Sequence, residues 1–264
     1  MSKISISIIA YNETVHLAEL LENIKDFADE IIVIDCSYDG SMGEIAKKYT
    51  DKIFRRTNLA NLNINKQVGI DKCSTDWILY LDPDERLTLA VKNEIRIVIE
   101  KTVYDAYLMP RLNYVLGRPL KFGGHYPDRQ LRLFRRGKAG FPCKHVHERI
   151  KVSGKTGYMK EPFIHYTYSA VKDFIAKLDF YSDFNADYMY KQGVKPVIYS
   201  AMLKPMVKFV RKSVFQFGFL DGFAGLLALF FSFANVVVSY AKLWEKIRNK
   251  KREAGITVIG DKKS

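Results

Sequence analysis

The sequence predicts an α/β protein in which a mostly parallel sheet is flanked by helices and followed by a helical tail that associates with a membrane. Three observations support this fold class. Strand-like and helix-like segments alternate through the first hundred residues, shorter β-like runs follow to residue 168, and the last quarter is basic around one long uncharged stretch. Alternating strands and helices with right-handed crossovers are typical of a parallel sheet with helices on both faces.

Four strands and four helices are predicted within residues 1–100. The strands are rich in branched and aromatic residues and cover residues 4–10, 30–35, 52–56 and 76–82. The helices cover residues 14–27, 41–49, 63–73 and 87–100. One apolar face is predicted for the first helix, formed by Leu17, Leu20, Leu21 and Ile24.

Residues 101–195 are predicted to complete the same domain with a different pattern. Short β-like runs cover residues 106–109, 130–135, 145–152 and 163–168, and a helix covers residues 169–192. We therefore expect one domain over 1–195, with halves that meet at residue 100, and a separate helical region over 196–264.

The segment 203–217 carries an apolar stripe at helical spacing. The stripe consists of Leu203, Met206, Val207, Val210, Val214 and Phe217, and the bases on another side are Lys204, Lys208, Arg211 and Lys212. This pattern is typical of an amphipathic helix that lies in a membrane interface. A helix packed on the sheet domain is the alternative.

Residues 222–241 contain no charged side chain, and roughly 20 apolar residues are enough to span a bilayer. Bases flank the segment on both sides, so the charges give no direction of crossing. We expect an in-plane or re-entrant attachment rather than a span.

The net charge of +13 is concentrated towards the C-terminus. A basic region binds either nucleic acid or an anionic membrane surface, and the uncharged stretch within 200–252 favours the membrane and disfavours nucleic acid.

The three cysteines form no CxxC pair, which is typical of a reducing cytosolic compartment, and no signal-peptide pattern is expected at the N-terminus.

Polar residues mark the predicted strand ends and one helix, where open α/β sheets bind ligands. They are Tyr11-Asn12-Glu13 after the first strand, Asp35 at the end of the second, Lys66 on the third helix, and Asp82-Pro83-Asp84-Glu85 after the fourth strand. Asp82 and Asp84 form a hard-oxygen site suited to Mg²⁺ or Mn²⁺ with an anionic ligand such as a diphosphate. The alternative for this acidic turn is a solvated strand-to-helix connection.

These motifs, in this order, resemble those of the inverting family 2 glycosyltransferases of the GT-A fold, where they line a nucleotide-sugar site. The resemblance is strong over residues 4–86 and continues more loosely through 132–136 and His147-Glu148. Within the family, the chain is most similar to the bacterial lipopolysaccharide inner-core glucosyltransferases. The tail sequences at 218–222 and 240–243 also resemble membrane-associated members.

The resemblance implies a role for each matching residue. Tyr11 and Asp35 contact the base of a UDP-sugar, and Glu13 belongs to the same binding element. Lys66 and Asp82 also bind the donor. Asp84 is the principal ligand of Mn²⁺ or Mg²⁺, and Asp82 is shared between the metal and the ribose.

The chain departs from the family pattern at two places. Cys36 stands where many members have a second Asp, and Lys66-Gln67 replaces the commoner Arg-Asn. Both departures concern the donor base, for which uridine is our first expectation.

An inverting transfer needs a general base that deprotonates the acceptor hydroxyl. The resemblance places this base in the acceptor half, where the candidates are Glu148 and Asp128, and we prefer Glu148. The alternative for Glu148 is a surface carboxylate paired with Arg149 or Lys151.

Two further groups of residues have open interpretations. His145 and His147 lie on one face of a predicted strand and could bind a metal, but no third ligand follows at a telling spacing. The bases Arg132, Arg135 and Arg136 either grip an anionic acceptor or form a solvated edge strand.

We therefore expect a metal-dependent glycosyltransferase that moves a hexose, glucose in the first instance, from a UDP-sugar to a lipid-linked glycan such as the lipopolysaccharide inner core. The expected location is the cytoplasmic face of the bacterial inner membrane, with peripheral or monotopic attachment. The alternatives are transfer to polyprenyl phosphate or to a protein side chain, and a non-catalytic membrane-bound scaffold with the same fold.

Overall fold

The computed structural model describes residues 1–59, 61–143 and 148–253. The chain divides into two compact units, one formed by Met1–Asn113 and Pro127–Tyr166, the other by Tyr114–Tyr126 and the chain from Thr167 onward. The helix that follows Thr167 thus groups with the C-terminal helices. The domain boundaries at residues 100 and 195 stay predictions.

A mixed sheet forms the centre of the first unit. Its helices are α1 (Thr14–Ile24), α2 (Ser41–Ala46), α3 (Leu62–Asp71) and α4 (Leu89–Glu100). The strands of the chain are β1 (Ile4–Ala10), β2 (Glu30–Asp35), β3 (Ile53–Arg55), β4 (Trp77–Leu81), β5 (Glu85–Arg86), β6 (Ala106–Val115), β7 (Arg118–Pro119), β8 (Asp128–Arg135), β9 (Ala139–Gly140), β10 (Lys151–Val152), β11 (Thr156–Tyr158) and β12 (Phe163–Tyr168).

The order of the main strands is β3-β2-β1-β4-β8-β6-β12-β5, and β7 and β11 also pair with β6. Strands β1 to β4 are mutually parallel, whereas β8 runs antiparallel to both β4 and β6. The carboxyl ends of the four parallel strands therefore meet at one edge of the sheet, which is the edge where open α/β sheets bind ligands.

Helix α1 covers one face of the parallel half with the apolar residues predicted from its spacing. Leu17, Leu20, Leu21 and Ile24 are fully buried and belong to one cluster with the β1 residues Ile4, Ile6 and Ile8. Each such side chain contributes about 1.5–3 kcal/mol when it is fully buried. This packing fixes β1, and with it the loop that begins at Tyr11.

Most predicted elements of the first unit are present, and three strands (β1, β2 and β12) agree with the prediction to the residue. The start of the fourth helix differs, because Glu85–Arg86 forms strand β5 on β12 and the Thr88 hydroxyl caps α4 by accepting from the Val91 N–H at 3.2 Å. The predicted strand 145–152 lies partly outside the described residues, and only Lys151–Val152 is a strand there.

The second unit is mainly helical, with α5 (Val171–Lys191), α6 (Lys204–Val210) and α7 (Gly222–Glu253). π-Helical turns at Tyr199–Leu203 and Arg211–Phe215 extend α6 on both sides, so that residues 198–215 form one helical segment, here called the amphipathic segment. Residues 222–241 belong to a single uninterrupted helix, so the re-entrant form of the expected attachment is wrong.

Helices α5 and α7 lie side by side and run in the same direction. The ring of Phe174 stacks on that of Phe231 with centroids 4.5 Å apart, and further along Lys242 Nζ contacts Asp179 Oδ1 at 2.7 Å. Within the apolar stretch of α7, the amide Nδ2 of Asn185 donates to Asn235 Oδ1 at 3.1 Å. One polar residue of the uncharged stretch is thereby used to hold α5.

Candidate active site

The acidic turn after β4 is a folded structure and not a solvated connection. The Asp82 N–H donates to Glu85 Oε2 at 2.9 Å, and the Glu85 N–H donates to the Asp82 carbonyl at 3.0 Å. The Glu85 side chain is fully buried. Antiparallel pairing of β5 with β12 places Glu85 opposite His165, and the Tyr166 N–H donates to the Asp84 carbonyl at 2.9 Å, which fixes the Asp84 backbone beside β12.

Asp82 is held by one cation on each carboxylate oxygen. Lys66 Nζ lies 2.8 Å from Oδ1, and Arg132 Nη2 lies 2.8 Å from Oδ2. Burial favours the neutral carboxyl, but the two cations outweigh it and hold the pKa of Asp82 well below its usual range. Burial likewise disfavours charge on Lys66, yet Asp82 outweighs it and the pKa of Lys66 is raised.

Asp84 faces the imidazole of His165. Its Oδ2 lies 3.3 Å from His165 Nε2, and His165 Nδ1 lies 2.7 Å from Asn113 Oδ1. The Asn113 amide nitrogen points the other way, towards Asp128 Oδ2 at 3.3 Å. The amide oxygen of Asn113 only accepts, so an N–H at Nδ1 is the group that suits it, and Nε2 is the ring nitrogen directed towards Asp84.

Asp128 is bound on both oxygens by its neighbours. Arg111 donates to Oδ2 from Nε at 2.9 Å and from Nη2 at 2.7 Å, and Gln130 donates to Oδ1 at 2.7 Å. Burial alone would raise the pKa of Asp128, but Arg111 and the amides of Asn113 and Gln130 outweigh it, so the pKa lies below its usual value. A carboxylate in this state is a weakened proton acceptor.

Tyr11 and Glu13 lie in the loop after β1, where Asn12 adopts a left-handed conformation with φ of 52°. The Tyr11 ring meets Tyr38 edge-on with centroids 5.8 Å apart, and the neighbouring Tyr38 side chain raises the pKa of Tyr11. Tyr38 is 80% exposed, and Glu13 is exposed as well. Two aromatic rings thus stand at the strand edge, where a flat base can stack.

Asp35 lies at the same edge but is almost fully buried, and its carboxylate accepts hydrogen bonds from the loop that follows β2. Oδ1 accepts from the Ser37 N–H at 2.8 Å, and Oδ2 accepts from the Gly43 N–H at 2.9 Å. The next residue, Cys36, is buried beside Asn65, and burial raises the pKa of its thiol to about 11. This position therefore carries a neutral thiol in the core, not a second acid at the edge.

Helix α3 presents Lys66 because it packs very closely on the sheet. A Cβ at Gly69 would lie 2.4 Å from Ser7 Oγ and 3.1 Å from Ile34 Cγ1, so any larger residue would displace these side chains. Gln67, next to Lys66, turns away from Asp82: its Oε1 accepts from the Phe141 N–H at 2.7 Å, and its Nε2 donates to Asp71 at 2.6 Å. Gln67 thus ties α3 to the segment after β9.

Comparison with known proteins assigns the chain to a protein family. The profile described as glycosyl transferase family 2 matches residues 5–167, which is more than half of the chain. The chain belongs to glycosyltransferase family 2. The fold class and the enzyme class predicted from the sequence are thereby confirmed, including a long apolar helix near the C-terminus.

Several relatives of this family 2 glycosyltransferase match over most of their length. An uncharacterized glycosyltransferase of Rickettsia felis is 26% identical over 95% of this chain and 93% of its own. The lipopolysaccharide core biosynthesis glycosyltransferase LpsC of Rhizobium meliloti is 27% identical over 79% of each chain. Among solved structures, the mannosyltransferase PcManGT of Pyrobaculum calidifontis superposes with a TM-score of 0.52 at 12% identity, over 93% of this chain and 88% of that chain.

The side chains present in this glycosyltransferase fit a divalent cation. Asp84 Oδ2 and His165 Nε2 lie 3.3 Å apart, close to the roughly 3 Å that separates neighbouring ligands of an octahedral ion with bonds of about 2.1 Å. Within residues 1–59, 61–143 and 148–253, no three His, Cys, Asp or Glu side chains cluster closely enough to hold a metal ion. A cation on Asp84 and His165 would take its other ligands from water and substrate.

The remaining predicted residues of the glycosyltransferase lie in the acceptor half. Glu148 is half-buried, and its carbonyl accepts from Asn63 Nδ2 on α3 at 3.3 Å, so its backbone lies beside the helix that carries Lys66. His145 and His147 lie outside the described residues.

Neither interpretation of the bases at 132–136, an acceptor-binding group or a solvated edge strand, fits Arg132. It lies on β8, an interior strand between β4 and β6, so the edge-strand interpretation is wrong. Its side chain is only 3% exposed and is bound to Asp82 and Glu85, which leaves it no free face for an acceptor.

Proposed function

We propose that this glycosyltransferase is metal-dependent and inverting, and that it moves glucose from UDP-glucose to a lipid-linked envelope glycan such as the lipopolysaccharide inner core. The observation that carries the proposal is the pairing of Asp84 with His165 next to the Asp82–Lys66 pair. A cation site beside a lysine suits a diphosphate, since both neutralise its oxygens. The relative LpsC, named for lipopolysaccharide core biosynthesis, supports the class of acceptor.

The donor lies along the carboxyl edge of β1, β2 and β4. Tyr11 stacks on the base, and Asp35 contributes through the turn that it holds with Ser37 and Gly43. Glu13 belongs to the same binding loop. Lys66 lies at the diphosphate, and Asp82 lies between the ribose and the cation, with Asp84 as the principal metal ligand.

The reaction is a single displacement at the anomeric carbon. The acceptor oxygen forms a bond to this carbon while the bond to the β-phosphate oxygen breaks, and UDP leaves with inversion of configuration. Glu148 takes the proton of the acceptor hydroxyl. When bound, the divalent cation stabilises negative charge on the departing diphosphate. Lys66 adds a positive charge at the same place.

The structure of PcManGT was solved with GDP-mannose and Mn²⁺. It supports a nucleotide sugar and a divalent cation as the two classes of ligand. Its guanosine and mannose differ from the uridine and glucose proposed for this chain, so the donor is the first property to measure.

A donor screen tests the proposal. We expect purified protein to release UDP from UDP-glucose when Mn²⁺ or Mg²⁺ and lipopolysaccharide with a truncated core are present. The release of UDP should stop when EDTA removes the cation. Intact-mass analysis should show a gain of one hexose on the lipopolysaccharide.

The same screen includes GDP- and CMP-sugars, polyprenyl phosphate and peptides. Turnover that persists in EDTA contradicts metal dependence. If the sugar appears on polyprenyl phosphate or on a peptide, the acceptor belongs to that class instead. If no donor is turned over, the result supports the scaffold alternative.

The second unit attaches the enzyme to the cytoplasmic face of the bacterial inner membrane. The exposed apolar residues of the amphipathic segment include Met202, Leu203, Met206, Val207, Val210 and Val214, and the exposed bases are Lys204, Lys208 and Arg211. Apolar side chains flanked by cations match a bilayer with anionic headgroups.

The contacts of α7 favour attachment in the plane of the membrane over a span. By length and composition alone, the helical stretch 218–252 could cross a bilayer. However, Lys242 pairs with Asp179 and Asp183 of α5, whose side chains are 76% and 66% exposed. A crossing by residues 222–241 would place Phe231 near the bilayer centre, and with it Phe174 and the neighbouring charged residues Lys172 and Asp173 of α5, at a cost of roughly 3 kcal/mol for each charge at the centre.

Neutralising the bases of the amphipathic segment should weaken membrane binding. The variant K204Q/K208Q/R211Q should lose about 3 kcal/mol, or roughly a hundredfold in partitioning to vesicles with 30% anionic lipid, because each base contributes about 1 kcal/mol there. Flotation measures the partitioning. The matched control K48Q/K101Q/K160Q removes three exposed lysines of the first unit, and an equal loss in both variants would contradict a specific surface.

A further inference from the structure

A buried ion pair lies directly beneath the acidic turn. The side chains of Arg132 and Glu85 are 3% and 0% exposed, and Arg132 Nη2 contacts Glu85 Oε1. Desolvation makes a buried ion pair a poor source of stability, and apolar residues of similar size often replace one without loss. Stability is therefore a weak reason for this pair, and its contacts with the proposed donor site give a better one.

Arg132 and Glu85 bind the side chain and the backbone N–H of Asp82, respectively. Arg132 Nη2 binds Asp82 Oδ2 at 2.8 Å while it also contacts Glu85, and Glu85 Oε2 accepts from the Asp82 N–H at 2.9 Å. The guanidinium is itself fixed, because its Cζ lies 4.2 Å from the centre of the Tyr80 ring. Both the side chain and the main chain of Asp82 are thus held by one rigid unit on β8 and β5.

The pair also sets the charge available to a ligand. Two carboxylates, Asp82 and Glu85, face the buried Arg132 and the partly exposed Lys66, and Arg111 Nη1 lies 3.8 Å from Glu85 Oε1. If Arg132 were absent, Glu85 would keep Arg111 Nη1, 3.8 Å away, and Lys66 would become the cation that balances Asp82. The positive charge of Lys66 would then be drawn to Asp82 and away from an incoming phosphate.

We propose that Arg132, together with Glu85, is a positioning residue for the donor site: it fixes Asp82 and balances its charge, so that Lys66 stays available to a nucleoside diphosphate. This inference rests on the proposed function, since it concerns the same site. It assigns to Arg132 no contact with the donor or the acceptor.

Two measurements distinguish a role of Arg132 and Glu85 in stability from a role in positioning the donor site. The double variant E85L/R132M replaces the ion pair by apolar side chains and should unfold thermally near the temperature of the unchanged protein. R132M alone should unfold earlier, because it leaves the buried Glu85 with only the more distant Arg111, 3.8 Å away. Binding of UDP with Mn²⁺, measured by calorimetry, should nevertheless weaken about 10- to 100-fold in the double variant, as for other residues that orient a ligand-binding side chain.

Two further variants make the result decisive. R132K keeps the charge but loses the forked contact with Asp82 and Glu85, so UDP affinity should fall in between. R135M, on the same strand with its guanidinium over Trp77 at 4.7 Å, is the matched control and should bind UDP normally. UDP affinity equal to that of the unchanged protein in either folded variant, E85L/R132M or R132K, overturns the inference. Failure of the unchanged protein to bind UDP would instead overturn the proposed donor.

Discussion

Replacing Asp84 with asparagine should lower kcat/KM for sugar transfer by about a thousandfold, which corresponds to roughly 4 kcal/mol of transition-state stabilisation. Asn retains the shape of Asp but removes the negative charge that faces His165 Nε2 at 3.3 Å. The cation would then have no anionic protein ligand at this position. Initial rates at saturating Mn²⁺, with Mn²⁺-dependent UDP binding measured by calorimetry, check both parts of this expectation.

Asp51→Asn is the matched control for this substitution. Asp51 is exposed and precedes β3, so it lies at the amino edge of the parallel strands, opposite to Asp84. Its replacement should leave kcat/KM unchanged. If D84N turns over at the full rate, Asp84 is not the metal ligand, and the acidic turn returns to a purely structural role.

The parallel half of the fold was predictable because each of its elements is encoded locally. Strand β1 is rich in isoleucine, with Ser5 and Ser7 between them, and ends before Tyr11-Asn12, and α1 carries its buried face at regular spacing. The residues that end such strands must share an edge once the strands are parallel. The closeness of Lys66 and Asp82, 2.8 Å apart, follows from this topology.

The partners of the acidic turn were not predictable, because they come from distant antiparallel strands. His165 on β12 reaches Asp84 through the pairing of β12 with β5, across about eighty residues of chain. A two-residue strand such as β5 has no periodicity that could indicate its partner. Arg132 was likewise misread, since the sequence of β8 does not reveal that the strand is interior.

The tail was predicted in composition but not in geometry. The stripe and the bases of the amphipathic segment follow from spacing alone. Whether residues 222–241 turn back or continue depends on what packs beside them. Asn235, a polar residue within this stretch, accepts a hydrogen bond from Asn185 of α5.

The general base is distinguished by comparing two carboxylates of the acceptor half. Glu148→Gln should lower kcat by about 10²- to 10⁴-fold, the usual contribution of general base catalysis, with UDP affinity unchanged. Asp128→Asn should lower kcat less than about tenfold, because Asp128 is engaged by Arg111 and Gln130 and its lowered pKa makes it a poor proton acceptor.

The two variants also differ in what else they change. Removing the Asp128 charge leaves Arg111 without its bidentate partner, so this variant should unfold at a lower temperature. Glu148 is half-buried and joined to α3 through its backbone carbonyl, which glutamine retains, so E148Q should unfold normally. Rates at saturating donor and acceptor, measured beside thermal unfolding, separate chemistry from folding. A larger loss of kcat in D128N than in E148Q, at unchanged unfolding temperature, would transfer the role of base to Asp128.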